Sequence, residues 1–194
     1  MNKLNHIAFI MDGNGRWGLK KKNNRNYGHL GGIKTVQRIV EASIKFKIPI
    51  ISFYVFSTEN WKRPKREINY LFNLIKVYFN REINNIVKNK IKIIISGRQK
   101  KLPDKIQKVL KIATQKTKKN SKLVVNLAIN YGSKNEIIDA VKKLNNSSQK
   151  ITEEKIDKHL YTNLPPPDIL IRTGGQRRLS NFMLWQIAYT EIFF

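Results

Sequence analysis

Short apolar runs alternate with helical patterns along the whole chain, and this alternation restricts the fold more than any other feature. Apolar runs bounded by turn residues predict buried strands at residues 7–11, 50–56, 91–95, 123–129, 168–171 and 192–194. Apolar residues at helical spacing predict helices at residues 28–47, 64–89, 103–113, 135–144 and 155–160. Regular alternation of this kind predicts an α/β fold, with a single mostly parallel six-stranded sheet and helices on both faces.

The size and composition of the chain fit one domain that spans residues 1–194. A composition of 41% hydrophobic and 26% charged residues is typical of folded proteins, and residues 145–150 are the most linker-like segment. The helix predicted at residues 64–89 has an apolar face rich in Phe and Tyr, which core packing explains by default. The wall of a hydrophobic tunnel between this helix and the sheet would have the same composition.

Residues 7–17 combine a strand with a turn that suits an anion. Asp12 follows the apolar run, and Gly13 and Gly15 let main-chain N–H groups approach a ligand without a Cβ in the way. Arg16 adds a fork of donors for phosphate oxygens. A carboxylate beside a phosphate is repulsive unless a divalent cation lies between them, so the stretch predicts a diphosphate bound with Mg²⁺.

Two other interpretations of this stretch remain open. Residues 13–18 match the G-x-G-x-x-G dinucleotide fingerprint, which requires a helix that opens on the glycines. The polar, basic run at residues 20–26 has no apolar period and predicts a loop, which argues against a dinucleotide site. A glycine-rich turn without a ligand is the second alternative, because turns use Gly and Asn for their conformational freedom alone.

The net charge of +25 favours anionic partners without identifying them. Such a balance would suit a nucleic-acid-binding protein, yet the lysines are scattered over every predicted helix and form no stripe with interleaved aromatic residues. We therefore expect a positive field that attracts anionic substrates and membrane surfaces, and no nucleic-acid partner.

Cysteine is absent, which excludes a disulfide framework, a thiol nucleophile and a Cys-ligated metal. The apolar runs are shorter than the roughly 18 residues needed to span a bilayer, and residues 1–6 do not resemble a signal peptide. We expect a cytoplasmic protein, with peripheral contact at the inner face of the membrane as a further expectation.

Polar clusters follow four of the predicted strands, at residues 12–16, 57–63, 130–132 and 172–175. Since the carboxyl ends of parallel strands meet at one edge of a sheet, we expect a single basic crevice there. Arg172, Arg178 and Ser180 could form a second anion pocket in it, because arginines bind diphosphate oxygens bidentately and a hydroxyl adds a donor. Two phosphate sites beside a tunnel suggest that two diphosphates are joined.

Five motifs together resemble those of cis-prenyltransferases, the family that includes bacterial undecaprenyl diphosphate synthase. They occur in the family's order: HIAFIMDGNGRW at residues 6–17, GH at 28–29, FSTENWKRP at 56–64, IRTGG at 171–175 and SNFMLWQ at 180–186. The resemblance implies a Mg²⁺-dependent transferase that condenses isopentenyl diphosphate onto an allylic diphosphate, expected to be farnesyl diphosphate. It also implies a homodimer and a long polyprenyl product, expected to be undecaprenyl diphosphate for a cell-wall lipid carrier. Tunnel depth would limit product length.

The resemblance assigns roles to the residues at matching positions. Asp12 would hold Mg²⁺, with Glu191 as a second metal ligand. The allylic diphosphate would bind Gly13, Asn14, Gly15, Arg16, Trp17, Arg25 and His29, where His29 follows Gly28 at a predicted helix N-terminus. Isopentenyl diphosphate would bind Arg172, Arg178, Leu179 and Ser180. The condensation site would be lined by Ser57, Thr58, Glu59, Trp61 and Arg63.

The proton acceptor is the least defined of these roles. Family assignments give it to the residue that matches Asn60. An amide is a very weak base, so we expect Asn60 to orient the proton, or to relay it toward a phosphate oxygen or Asp12.

The chain departs from the family pattern at two places. Gln176 and Arg177 stand where family members often carry Glu and His, and Arg177 cannot ligate a cation. The sequence ends at Phe194, whereas relatives continue through a further helix and a basic tail, so we expect a domain that lacks this part. Three alternatives remain: a relative with a different product length, a basic nucleic-acid-binding protein, and a non-catalytic prenyltransferase-like subunit, which the presence of Asp12, Asn60 and Arg172 disfavours.

Overall fold

The computed structural model describes residues 4–146 and 150–194, so residues 147–149 of the linker-like stretch and residues 1–3 lie outside the described part. Strands β1 to β6 are His6–Ile10, Ile50–Ser57, Ile91–Ser96, Leu123–Tyr131, Ile169–Arg172 and Glu191–Phe193. Helices α1 to α6 are Asn14–Lys22, Arg25–Lys45, Lys65–Lys88, Asp104–Thr117, Ser133–Asn146 and Glu153–His159. Short 3-10 helices, Thr58–Lys62 and Gln99–Lys101, follow β2 and β3.

The six strands form one sheet in the order β3-β4-β2-β1-β5-β6, and each neighbouring pair is parallel. Phe9 of β1 is level with Phe53 of β2 and Ile171 of β5. The carboxyl ends of these three strands therefore lie along one edge. The predicted α/β fold with a parallel six-stranded sheet is confirmed.

The two faces of the sheet carry separate cores because successive side chains of a strand point to opposite sides. On one face, Ile7 and Phe53 pack with apolar residues of α2, α3 and α4. On the other face, Ala8 and Leu170 pack with the buried residues Phe182, Met183 and Ile187. Helices α5 and α6 pack on each other through a third cluster: Ala140, Leu144, Ile156 and Leu160.

Residues 20–26 belong to two helices and the turn between them, so the predicted loop is wrong. Helix α2 begins at Arg25, three residues before its predicted start, and α1 opens at Asn14, directly after Gly13. The two helices pack backbone against backbone: a Cβ on Gly28 would lie 1.8 Å from the Asn14 carbonyl oxygen, and one on Gly18 would lie 2.5 Å from the Gly28 nitrogen. Helix α1 does open on the glycines. The predicted loop was the argument against a dinucleotide site, and that argument no longer holds.

The long aromatic helix is α3, which begins one residue after Pro64 and buries Ile68, Phe72, Phe79 and Ile86. Among residues 4–146 and 150–194, none of the helices is both long enough and apolar enough to cross a bilayer.

Candidate functional site

A cavity of about 620 Å³ lies between the carboxyl edge of the sheet and helices α2 and α3. This volume falls within the range of about 300–1,000 Å³ that is usual for ligand sites. The apolar part of its lining comes from two helices and three strands: Ile33 and Val36 of α2; Leu71, Leu74, Ile75 and Phe79 of α3; Ile10 of β1; Val55 and Phe56 of β2; and Leu127 and Ile129 of β4. The tunnel predicted between α3 and the sheet is present, and α2 supplies a further wall that the sequence did not predict.

The turn between β1 and α1 forms the polar end of this cavity, which is lined by residues 12–16. Gly13 is the N-cap of α1 and has a φ of 92°, a conformation that favours glycine. The first N–H groups of a helix have no partner within the helix, so this turn offers donors to an anion. Arg16 lies on the same turn, and its Nη2 donates to the Gly174 carbonyl oxygen at 2.8 Å.

Asp12 is held by donors from three directions. Its Oδ1 accepts the Gly13 N–H at 2.6 Å and lies 3.4 Å from Arg16 Nη2. Its Oδ2 accepts Arg172 Nη2 at 2.9 Å. Burial would raise the pKa of Asp12, but the hydrogen bonds from Arg172 and Gly13 and the charges of Arg172 and Arg16 together lower it. Asp12 is therefore an anion at neutral pH.

Arg172 joins the two phosphate sites that the sequence predicted separately. Its side chain is only 3% exposed, and besides Asp12 it donates to Ser180 Oγ at 2.7 Å and to the Arg178 carbonyl oxygen. Its Nε is buried and has no hydrogen-bond partner among residues 4–146 and 150–194. Arg178 itself is exposed, and its Nη1 donates to Gln176 at 2.8 Å.

Two arginines and a histidine of the cavity lining converge on one carboxylate. Arg25, His29 and Arg63 each lie 3.2 Å from an oxygen of Glu67. Burial lowers the pKa of His29. The nearby Glu67 carboxylate partly offsets this decrease, whereas the charges of Arg63 and Arg25 lower the pKa further. His29 lies in the second turn of α2 and not at the helix N-terminus, because α2 starts at Arg25.

The end of β2 and the segment after it bring four predicted residues to the cavity: Ser57, Glu59, Asn60 and Arg63. Asn60 Oδ1 accepts the Ser57 N–H at 3.2 Å, so one lone pair of the amide oxygen is already used. Glu59 accepts from Asn181 at 2.9 Å. Burial would raise the pKa of Glu59, but the hydrogen bond from Asn181 and others lower it.

Four predicted substrate-binding residues do not line this cavity: Trp17, Thr58, Trp61 and Leu179. Trp17 stacks on Tyr27 at 5.5 Å and lines a second cavity, which Asp12, Gly13 and Asn14 also border. Trp61 packs on Phe56, and its Nε1 donates to Asn130 at 2.7 Å. These two indoles fix the elements around the site, and their assignment to substrate stays a prediction.

Glu191 and Asp12 lie at opposite edges of the sheet within one chain. Glu191 is the first residue of β6 and is level with Ile169 at the amino end of β5, whereas Asp12 follows Ile10, which is level with Arg172 at the carboxyl end. Among the described residues, no group of three or more His, Asp or Glu side chains converges as a metal site. Asp12 still fits a magnesium ion, because Mg²⁺ usually binds one or two carboxylates together with substrate phosphates. A single chain does not bring Glu191 to it, and the role of Glu191 stays a prediction.

Several residues of the site carry no clear signal in the sequence. Glu67 is one acidic position in a basic helix, and no local pattern marks it. Tyr54 is predicted only as part of a strand, yet its hydroxyl donates to the Ser180 carbonyl oxygen at 3.2 Å. Asn181 lines the cavity but stands in the sequence only as one residue of a family motif. A search for polar residues one turn into each helix that follows a strand would have included Glu67.

Comparison with known proteins gives consistent matches over the whole chain. A family model described as putative undecaprenyl diphosphate synthase matches residues 10–194. An isoprenyl transferase of Fusobacterium nucleatum is 45% identical over 97% of this chain and 82% of its own length. An isoprenyl transferase of Oceanobacillus iheyensis is 44% identical over 100% of this chain and 80% of its own length.

Two solved structures are also similar. A probable undecaprenyl diphosphate synthase from Campylobacter jejuni has a TM-score of 0.85 and 36% identity, and the match covers 100% of this chain and 87% of that one. Lavandulyl diphosphate synthase from Lavandula x intermedia, solved in complex with dimethylallyl diphosphate, has a TM-score of 0.93 and 27% identity over 99% of this chain and 87% of that one.

Proposed function

Because the chain belongs to the undecaprenyl diphosphate synthase family of prenyltransferases, we propose that it extends farnesyl diphosphate with isopentenyl diphosphate to undecaprenyl diphosphate. One observation carries the proposal. The Asp12 turn, the cations around Glu67, and Arg172 with Ser180 all border one cavity whose remaining wall is apolar. A polar end of this kind suits diphosphates, and the apolar part suits a growing prenyl chain.

The allylic diphosphate binds at the N-terminal turn of α1. Arg16 lies on that turn, and the Arg25 guanidinium packs against it, since a Cβ on Gly15 would lie 2.9 Å from Arg25 Nη2. Arg63 adds a further charge to this site, and the His29 ring adds a hydrogen-bonding group. Isopentenyl diphosphate binds on the other side of Asp12, at Arg178 and Ser180, with Arg172 between the two sites.

The reaction forms one carbon–carbon bond and releases one diphosphate. Cleavage of the allylic C–O bond places negative charge on the leaving diphosphate and positive charge on the carbon, and Arg16 and Arg25 stabilise the diphosphate. The double bond of isopentenyl diphosphate attacks the carbon, and a proton leaves C2 of that unit. Asp12 would hold Mg²⁺, which would supply further charge neutralisation at the leaving diphosphate.

Asn60 positions the departing proton and does not accept it. Its amide oxygen is engaged with the Ser57 N–H, and an amide is far too weak a base at neutral pH. The diphosphate oxygens that accumulate negative charge are the better acceptors. Asn60 lines the same cavity as Asp12, which supports this arrangement.

The homodimer and the membrane contact belong to the same proposal. The edge strand β6 leaves Ile192 and Phe193 partly exposed, and an apolar sheet edge of this kind suits pairing with a second copy. The charge of +25 suits contact with anionic lipid at the inner face of the membrane, where a polyprenyl product would be released by a cytoplasmic enzyme.

The other interpretations have less support. The similarities to prenyltransferases extend over the whole chain and give no support to a nucleic-acid-binding protein. Asp12, Asn60 and Arg172 all line the cavity, which favours a catalytic subunit over a non-catalytic one. The product length is the finer part of the proposal and needs its own measurement.

An extension assay tests the proposal. Purified protein receives farnesyl diphosphate, labelled isopentenyl diphosphate and Mg²⁺, and the products are separated by chain length. We expect labelled C55 product, and none when a chelator removes the metal. Incorporation into shorter or longer chains would reject undecaprenyl diphosphate as product, and absence of incorporation would reject the proposed activity.

A further inference from the structure

Glu67 stands behind the cations of the cavity and does not line the cavity itself. Arg25, His29 and Arg63 are all lining residues, whereas Glu67 is not. The Glu67 side chain is 11% exposed, and its two oxygens face all three groups at 3.2–3.3 Å. One buried carboxylate therefore collects three groups whose other sides point toward the candidate diphosphate site.

These contacts join separate elements. Arg25 and His29 lie on the first turns of α2, Arg63 precedes α3, and Glu67 lies on the first turn of α3. The Arg25 guanidinium also packs against the first turn of α1 at Gly15. A change at Glu67 is thus transmitted to the place where α1, α2 and α3 meet.

The charge balance explains why a carboxylate is needed here. The two guanidinium groups held close together repel one another and would otherwise turn outward to water, which Arg25 and Arg63 can reach because they are 44% and 35% exposed. Burial would raise the pKa of Glu67, but the hydrogen bond and charge of Arg25, the charge of Arg63 and the hydrogen bond of His29 lower it, so that Glu67 is ionised. It keeps the donors converged before any anion binds.

We propose that Glu67 is a positioning residue that preorganises Arg25, His29 and Arg63 to receive the diphosphate of the allylic substrate. This inference rests on the proposed function and adds a residue that acts through others without contact to substrate. The isopentenyl site is held by a different set of hydrogen bonds, which run from Arg172 to Asp12, Ser180 and the Arg178 carbonyl oxygen. A change at Glu67 should therefore weaken binding of the allylic diphosphate and leave binding of isopentenyl diphosphate unchanged.

The test compares Glu67→Gln with Glu67→Asp and with Glu82→Gln. Glu82 is a matched control, since it lies on the same helix and also pairs with an arginine, Arg81, but does not border the cavity. We expect Glu67→Gln to raise the KM for the allylic diphosphate by about tenfold, because charge-assisted hydrogen bonds that organise the donors are removed. The KM for isopentenyl diphosphate should change by less than about twofold. Glu67→Asp keeps the charge with a shorter side chain and should restore part of the affinity, whereas Glu82→Gln should match the wild type.

A second readout follows the His29 ring directly by NMR titration. Glu67 favours the protonated ring, so its replacement by Gln should lower the pKa of His29 further. A contribution to stability alone would lower the melting temperature and leave this titration and the substrate preference unchanged. If Glu67→Gln does not fold, Glu67→Asp carries the same comparison.

The outcomes separate this inference from the proposed function. Pyrophosphate binding to the wild type and to Glu67→Gln is measured alongside turnover, because it needs no catalysis. A wild type that binds pyrophosphate better than the variant but makes no product would reject the proposed reaction and keep the positioning role. Equal pyrophosphate affinity, an equal rise of both KM values, or an unchanged His29 titration would overturn the inference.

Discussion

Replacement of Arg172 by lysine tests whether one buried guanidinium joins the two halves of the site. Arg172 is 3% exposed at its side chain and donates to Asp12, Ser180 and the Arg178 carbonyl oxygen. Lysine keeps the positive charge but has a single ammonium group on a flexible chain. It cannot span acceptors that the planar guanidinium reaches from separate nitrogens.

The expected magnitude follows from the hydrogen bonds that lysine cannot make. A hydrogen bond to a charged group contributes about 1.5–3 kcal/mol to stability. The Asp12 side chain is 30% exposed, so solvent screening reduces the contribution of the Arg172–Asp12 hydrogen bond to about 1 kcal/mol. If lysine still reaches Ser180 or the Arg178 carbonyl oxygen, the bonds to Asp12 and to the other acceptor are lost, and the free energy of unfolding falls by about 2.5–4 kcal/mol. This loss lowers the melting temperature by about 5–16 °C in a chain of this size.

Urea denaturation and thermal melting measure this destabilisation, and Arg178→Lys is the control. Arg178 belongs to the same predicted substrate site, but it is exposed and its guanidinium donates to Gln176 at the surface, so its replacement should cost less than about 0.5 kcal/mol. An Arg172→Lys variant as stable as the wild type would refute the reasoning, as would an equal destabilisation of both variants.

Two further predictions concern the tunnel and the pH dependence of stability. Val36→Trp should shorten the products while the first condensation continues, because Val36 lines the apolar part of the cavity; Val77→Trp, on the exposed side of α3, should leave product length unchanged. Burial lowers the pKa of His6, with the Pro165 carbonyl and Asp168 opposing, so the unfolded chain takes up the proton first. The free energy of unfolding should therefore be highest above about pH 6.5 and fall as the pH drops toward the folded pKa. His29 contributes in the same direction, so replacing His6 removes only part of this pH dependence. Urea denaturation at several pH values should show that the free energy of unfolding of His6→Gln changes less with pH than that of the wild type. An unchanged pH dependence would contradict this assignment.

The strands and the edge that carries the site could be predicted from the sequence because each apolar run ends in a polar cluster. Asp12 and Arg172 follow neighbouring strands of a parallel sheet, and the topology alone brings them to one edge. Their direct contact at 2.9 Å is a matter of side-chain direction, which periodicity does not report. The sequence therefore predicted two anion sites in one crevice, and the structure adds the hydrogen bond that links them.

Helix α1 could not be predicted because it has no apolar face to detect. Its buried residues are Gly15 and Gly18, and it packs on α2 through main-chain contact at Gly28. Periodicity detects side chains that are removed from water, and close packing through glycine leaves no such signal. The same limit explains why the predicted start of α2, at residue 28, is too late.

Two predicted site residues lie away from the cavity within one chain, and the reasons are related. The motif alone indicates Glu191 as a ligand, but the register of β6 with β5 sets it at the amino edge of the sheet, away from Asp12. Trp17 follows the anion-binding turn in sequence, but helical geometry turns it to the outside, onto Tyr27. Neighbours in sequence need not share a cavity once a helix begins between them.

The most direct test of the central claim is Asp12→Asn in the extension assay with farnesyl diphosphate, labelled isopentenyl diphosphate and Mg²⁺. Asparagine keeps the shape, and its one amide oxygen can still accept from either Arg172 or the Gly13 N–H, so the fold should be retained. Asp104→Asn at the exposed start of α4 serves as control. We predict at least an approximately hundredfold loss of incorporation for Asp12→Asn, since the metal-binding charge is removed, and none for Asp104→Asn. Incorporation by Asp12→Asn at the wild-type rate would contradict the account.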